Sequence, residues 1–215
     1  MICLVIQTKN AMETKLGDIT ITPLWTGNNI KALVALVVSL IKEIDDLRTP
    51  EGGTPCAVFD IDDTLILESG NMWILFDSIA QIYHYLVKQG WCVYLITARY
   101  NSADVREFTR NQMTLAKIDS YLDAHHCPGK YRTDRVNVSL WKQKIRDSIA
   151  KKHGCVTLSF GDNFADFVAL PELGSKDMLE DKYAKAFGVY LCTKTEGGDL
   201  ANTVIGVKTP QRYAV

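Results

Sequence analysis

The sequence predicts an α/β fold, a central parallel sheet of about five strands with helices on both faces. Three observations carry this. Short apolar runs alternate along the chain with stretches of helical periodicity. The apolar runs are continuous rather than alternating, as strands covered on both faces are. The first strand, helix and strand follow one another through short connections, which implies a right-handed parallel unit.

Residues 1–25 form an N-terminal segment with little periodicity; within it, residues 18–23 alternate like a short strand and stop at Pro23. Residues 26–29 (Thr-Gly-Asn-Asn) start a helix that runs through the apolar block 32–41 to about Leu47, and residues 49–55 are a Pro- and Gly-rich loop. The central strand is Cys56-Ala57-Val58-Phe59, ending in Asp60-Ile61-Asp62-Asp63-Thr64. Leu65 to Gly70 is too short to hold a cap domain. Met72, Leu75, Ile79, Ile82 and Leu86 recur at helical spacing, predicting a helix over 71–88 that stops at Gly90. A second strand over 91–96 ends at Thr97-Ala98-Arg99. Ser102 caps a helix through about Arg110. Residues 114–133 are polar and mixed, broken at Pro128-Gly129, and 135–138 read as a third strand. Ser139 precedes a helix with Trp141, Ile145 and Ile149 on one face, ending near Gly154. A fourth strand over 155–160 runs into Gly161-Asp162-Asn163, a short helix follows up to Pro171, and 187–192 is the fifth strand. The tail after Thr193 has no clear period. One domain over 26–192, with 193–215 packing on it as a tail, follows from this order.

With 215 residues the chain suits one domain with a real core, and 47% hydrophobic with 23% charged residues is ordinary globular composition. A net charge of −1 argues against a broad basic surface and so against a nucleic-acid partner. The six cysteines form no C-x-x-C pair; four lie in or beside apolar runs and read as buried free thiols of a reducing compartment. Cys127 follows His125-His126 without a spaced partner cluster, which reads as a polar loop rather than a metal site. The first residues lack the basic start and apolar core of a signal peptide, and 32–41 is too short to span a bilayer. The expectation is a cytoplasmic protein with no membrane partner.

Strand ends carry the chemistry. Asp60 and Asp62 follow the first strand, Thr97 the second, and Asp162, with Asp166 close behind, the fourth, while Lys142 opens the preceding helix. The carboxyl edge of a parallel sheet is where α/β folds bind ligands. Neighbouring carboxylates are costly to place together unless a cation or a shared proton relieves them. Oxygen donors without His or Cys favour a hard cation, Mg²⁺ above others.

Asp60-Ile61-Asp62-Asp63-Thr64 resembles the D-x-D-x-T motif of haloacid dehalogenase-type (HAD-like) phosphatases. Thr97 matches the hydroxyl of their second motif, Lys142 the lysine of their third, and Gly161-Asp162-Asn163-Phe164-Ala165-Asp166 matches G-D-x-x-x-D, all in order. Lys142, Arg146 and Ile149 are similar to the K-x-x-x-R-x-x-I pattern of the subfamily IIIB, class B-like acid phosphatase branch, and 208–213 weakly resembles its chain end. Thr97-Ala98-Arg99 stands where T-G-R is commoner, and Asn163 where Gln is frequent.

The resemblance implies a Rossmann-like HAD fold without a large cap, and a Mg²⁺-dependent phosphomonoester hydrolase working through an aspartyl-phosphate on Asp60. Asp62 would be the general acid and base. Asp60, the backbone carbonyl of Asp62 and Asp162 would bind the metal, with Asp166 supporting them. Thr97 and Lys142 would hold the substrate phosphate. The partner would be a phosphorylated small molecule, and the small entrance elements either admit bulky substrates or are covered by a second subunit in a homo-oligomer. A phosphotransferase or nucleic-acid end phosphatase using the same site, and a non-catalytic binding protein on the same scaffold, are the alternatives. Lys142 is favoured over Lys144 by its spacing to Arg146 and Ile149. For Asp166 a plain surface acid is the competing reading, and for Arg99 a structural ion pair. Asp63 is expected to matter through its backbone. Trp73 and Phe76 fit core packing better than substrate stacking, and His84 fits packing or surface.

Overall fold

The computed structural model describes residues 13–46, 53–69, 72–154, 156–170, 186–196 and 199–210. Ten strands and four helices alternate: β1 (Thr14–Leu16), β2 (Ile19–Gly27), α1 (Ile30–Asp46), β3 (Cys56–Phe59), β4 (Ile66–Ser69), β5 (Met72–Leu75), α2 (Asp77–Lys88), β6 (Cys92–Tyr100), α3 (Ala103–Leu115), β7 (Asp123–Cys127), α4 (Arg135–His153), β8 (Val156–Gly161), β9 (Phe187–Glu196) and β10 (Asp199–Lys208). The chain is α/β, with a mostly parallel central sheet flanked by helices. That sheet has eight strands, in the order β1-β2-β9-β10-β8-β3-β6-β7, rather than about five. β10, β8, β3, β6 and β7 are joined by parallel pairings, and β9, β2 and β1 extend the sheet antiparallel.

Strand alternation assigns the helices to faces. Ala57 and Phe59 of β3 join a core with Leu33, Val37, Leu40 and Ile41 of α1 and Ile79, Ile82 and Leu86 of α2. Cys56 and Val58 point the other way, into a core with Trp141 and Ile149 of α4. Phe59 stacks on Phe160 of β8 at 4.1 Å, almost parallel, one residue before the chain turns into Asp60. This pair floors the carboxyl edge. At α1, Asn29 caps by accepting from the amides of Lys31 and Ala32 at 3.0 and 3.2 Å, as its residue type favours.

Several expected elements differ. Residues 135–138 are the first turn of α4, not a strand. Asp134 accepts from the Asn137 amide at 2.8 Å and starts the helix five residues early, so Ser139 lies inside it. Four alternating residues are too few to tell a strand from a helix by period alone, and the cap decides. The strand instead lies in the segment read as polar loop. Asp123–Cys127 forms β7, which among the described residues pairs only with β6, and an edge strand tolerates such polar residues. Met72–Leu75 is not helical; it pairs antiparallel with β4 as a small hairpin, and α2 starts at Asp77. The helix after Asn163 shrinks to one 3₁₀ turn, Phe164–Asp166. The strand at 187–192 runs on to Glu196 and is antiparallel to both neighbours. The tail without a period holds β10, inserted between β9 and β8. β2 continues through Pro23 with a bulge between Pro23 and Trp25. Leu47, residues 49–52, Gly70, Asn71, Cys155, Pro171 and residues 211–213 lie outside the described residues, as does the Trp73 side chain. Among the described residues, no helix is long and apolar enough to cross a membrane.

Candidate active site

Two adjacent parallel strands deliver the first two carboxylates. Asp60 leaves β3 with its amide donating to Phe160 O of β8 at 2.9 Å, and Asp162 follows Gly161 at the end of β8. α4 supplies the cation. Its inward stripe would ordinarily be apolar, but Lys142 and Arg146 occupy it one turn apart, buried with Trp141 and Ile149. Lys142 Nζ donates to Asp60 Oδ1 at 2.7 Å and to Asp166 Oδ1 at 2.5 Å. Lys144 instead reaches the Tyr131 hydroxyl at 3.3 Å, away from this cluster.

Asp166 is fixed from every side. Its carbonyl accepts from Arg146 Nη1 at 2.7 Å and from Ser159 Oγ at 2.6 Å. Its other carboxylate oxygen accepts from the Asn163 amide at 3.1 Å, closing a capping box around the 3₁₀ turn. Gly161 is required here, because a Cβ at that position would overlap the Asp166 carboxylate. Asn163 also donates to Asp162 Oδ2 at 2.7 Å and accepts from Arg135 at 2.9 Å.

Asp62 and Thr97 form a second group beside the first. Arg99 grips the Asp62 carboxylate through Nε, at 3.1 and 3.0 Å, and through Nη2 at 2.6 Å. The Thr97 hydroxyl donates to Asp62 Oδ2 at 3.4 Å and accepts from the Arg99 amide at 3.1 Å. Thr97 is fully buried, whereas the Asp62 side chain is 40% exposed. Arg99 is thus in an ion pair, and it also bonds Thr109 at 3.1 Å. Asp63 adopts a left-handed φ of 56°, one that Asp tolerates better than most residues. Its amide donates to Ile66 O at 2.8 Å and its carbonyl accepts from the Thr209 hydroxyl at 3.0 Å. His84 stands edge-on to Tyr83 at 5.2 Å on α2, and Phe76 packs at the margin of the main core.

Among the described residues, the carboxylates of this cluster outnumber the one ammonium bonded to them. Asp60, Asp162 and Asp166 are all buried and each offers an oxygen within 4.8 Å of the others. Burial, and then the neighbouring carboxylates Asp166, Asp162 and Asp62, hold the Asp60 pKa well above its ordinary value against the pull of Lys142. Burial and Asp166 push Asp162 up to about 7. Burial alone would lower the Lys142 pKa, but Asp166 and Asp60 outweigh it and raise it. One ammonium faces three carboxylates, an arrangement that a divalent hard cation relieves and an all-oxygen donor set suits.

Asp60, Lys142, Asp162 and Asp166 therefore meet directly, while Thr97 and the Asp62 carboxylate meet each other and Arg99. Ser159, which donates to Asp166 O seven residues on, carries no motif, and Thr209, which donates to Asp63 O 146 residues away, lies in the 208–213 stretch whose weak resemblance assigns it no role. Arg135, at the start of α4, was hidden by reading that turn as a strand. No protein-family model matches the chain, and no curated protein aligns with it significantly.

Proposed function

We propose that the chain is a Mg²⁺-dependent phosphomonoester hydrolase of the HAD-like kind, acting through an aspartyl-phosphate on Asp60. The observation that carries the reading is Lys142 bridging Asp60 and Asp166, with Asp162 facing them at the carboxyl edge of the parallel strands. The order of the motifs along the chain supports the same reading. Asp60, Asp162 and the Asp62 backbone carbonyl would hold the cation, with Asp166 supporting. Bound there, Mg²⁺ supplies charge to offset the carboxylates and the phosphoryl oxygens.

The chain's own residues divide the remaining work. Lys142 holds Asp60 Oδ1, which fixes the carboxylate and leaves the second oxygen to form the bond to phosphorus. As that bond forms, the bond from phosphorus to the leaving oxygen breaks. Asp62, in its protonated form, gives its proton to that oxygen. The resulting Asp62 carboxylate then takes a proton from water as the water oxygen attacks phosphorus and the Asp60–phosphorus bond breaks. Lys142 neutralises the anionic substrate, and Thr97, whose hydroxyl donates to Asp62, would turn that hydroxyl to a phosphoryl oxygen. Arg99 has two partners to choose between, Asp62 and the arriving phosphate. Leaving Asp62 for the phosphate frees that carboxyl to protonate the leaving group.

The test is hydrolysis of an aryl phosphate. Turnover should need Mg²⁺, stop with chelator and vanish in Asp60→Asn, which retains the shape of the site. Full activity in that variant would sink the nucleophile assignment. Asp62→Asn should slow poor leaving groups most; equal losses across leaving groups would remove Asp62 as the acid.

A further inference from the structure

The end of the sheet opposite the carboxylates gathers a second, chemically different set of donors. β3 and β6 begin side by side in parallel register, with Cys56 opposite Cys92 and Val58 opposite Tyr94. The alternation that turns Ala57 and Phe59 toward α1 and α2 turns Cys56, Cys92 and Tyr94 toward α4. α4 ends at this edge with His153, followed by Gly154 at φ 96°. Three residues distant in sequence are thereby brought together. Cys92 Sγ lies 3.5 Å from His153 Nδ1, and one donor atom from each of Cys56, Cys92 and His153 falls within 4.8 Å of the other two. Neither cysteine is in a disulfide. Cys56 is buried and donates to Thr54 O at 3.6 Å, while Cys92 and His153 are half-buried and reachable.

We propose that Cys56, Cys92 and His153 form a binding site for a thiophilic divalent cation, with Zn²⁺ the fitting one. Tetrahedral zinc takes sulfur at about 2.3 Å and nitrogen at about 2.0 Å, which places neighbouring sulfur and nitrogen ligands about 3.5 Å apart. The Cys92–His153 separation has that length before any ion enters. The second nitrogen of His153, Nε2, is 2.7 Å from the Tyr94 hydroxyl. A metal-binding imidazole commonly has such a partner, which holds the ring and selects the tautomer. With Nε2–H donating to the Tyr94 oxygen, Nδ1 keeps its lone pair beside Cys92 Sγ. On binding, both thiols lose their protons to solvent and coordinate as thiolates. Water completes the fourth position.

Two cation sites would then be sorted by ligand softness: oxygen donors for Mg²⁺ at one end of β3, sulfur and nitrogen for Zn²⁺ at the other. The zinc would tie together the bases of β3 and β6 and the end of α4. Those three elements also present Asp60, Thr97 and Lys142 at the opposite edge. The zinc ligands all lie at the strand starts and the end of α4, so the site stands whether or not the opposite edge hydrolyses phosphate.

The test uses the full, reduced, metal-free chain. It should take up one equivalent of Zn²⁺ that excess Mg²⁺ does not displace, and Co²⁺ should give a near-ultraviolet thiolate charge-transfer band. Cys92→Ser and His153→Ala should each remove the band or weaken Zn²⁺ binding at least tenfold. Tyr94→Phe should weaken it by about 10- to 100-fold, the range for losing such a supporting partner. Asp162→Asn should leave the band unchanged. Circular dichroism checks that each variant folds; with two separate ligand variants, one that fails to fold leaves the other to decide. A chain that binds no Zn²⁺, or a Co²⁺ band that survives in both ligand variants, overturns the proposal. So does a Cys56–Cys92 disulfide found by peptide mapping of the chain purified without reductant, which would make the two a redox pair.

Discussion

Replacing Asp162 with Asn should stabilise the metal-free protein, by an amount that depends on pH. Asp162 is 9% exposed, and burial followed by the Asp166 carboxylate raises its pKa from 3.8 to about 7. Between those two values the unfolded chain has released a proton that the native state keeps. Stability therefore falls as pH rises through this window and levels off above it. At about 1.4 kcal/mol per pKa unit, the whole span is worth at most about 4 kcal/mol. Asn avoids the loss, because it carries no charge and keeps an oxygen to accept from Asn163 Nδ2. Urea unfolding followed by circular dichroism, in chelator, should find Asp162→Asn more stable than the parent at pH 8 by more than about 1 kcal/mol, several degrees in Tm for a chain of this size. The gap should close as the pH is brought toward 4. Mg²⁺ at ten times its Kd should add about 1.4 kcal/mol to the parent and far less to the variant. A variant less stable than the parent at pH 8 in chelator, or equal protection of both by Mg²⁺, would refute the charge-imbalance argument.

Three further substitutions probe how the site is held. Gly161→Ala puts a Cβ into the Asp166 carboxylate. It should cost about 1–3 kcal/mol in urea unfolding and lower aryl phosphate turnover at least tenfold, and unchanged turnover would remove Asp166 as the residue that places Lys142. Thr209→Val deletes the donor to Asp63 O. A loss of about 1 kcal/mol with a fall in kcat is expected, and a change in stability alone would make the contact merely structural. Arg99→Ala should cost less than about 1 kcal/mol, because the Asp62 side chain it grips is 40% exposed, yet it should raise KM for aryl phosphates; an unchanged KM would confine Arg99 to its ion pair.

The meeting of Asp60, Lys142, Asp162 and Asp166 was legible because strand ends in a parallel sheet share an edge. A continuous apolar run followed by acids locates both the strand and its end. The same rule could not find β7, whose Asp-Ala-His-His-Cys sequence has no apolar run because it lies at the sheet margin and pairs on one side only. β10 escaped for another reason. Gly197-Gly198 between two strand-forming stretches is a hairpin signal, but the polar residues around it mask the alternation, and among the described side chains of β10 the buried apolar ones are Ile205 and Val207. The failure at 135–138 was one of boundary, where a capping Asp outweighs a short β-like pattern.

The strand hidden in the sequence is the one that completes the site. β10 lies beside β8, and at its end the Thr209 amide donates to Gly161 O at 2.9 Å while the Thr209 hydroxyl holds Asp63 O across 146 residues of chain. Asp63 is the point where the loop carrying Asp60 and Asp62 enters left-handed backbone, a conformation that persists where surrounding structure enforces it. A motif can specify which acids the loop carries. It cannot specify the distant hydroxyl that stops the loop from relaxing, because that partner is selected by sheet order rather than by local sequence. The antiparallel β9–β10 hairpin is thus more than an extension of the sheet: by running β10 back parallel to β8, it brings the chain's last described strand against the turn that presents Asp60 and Asp62.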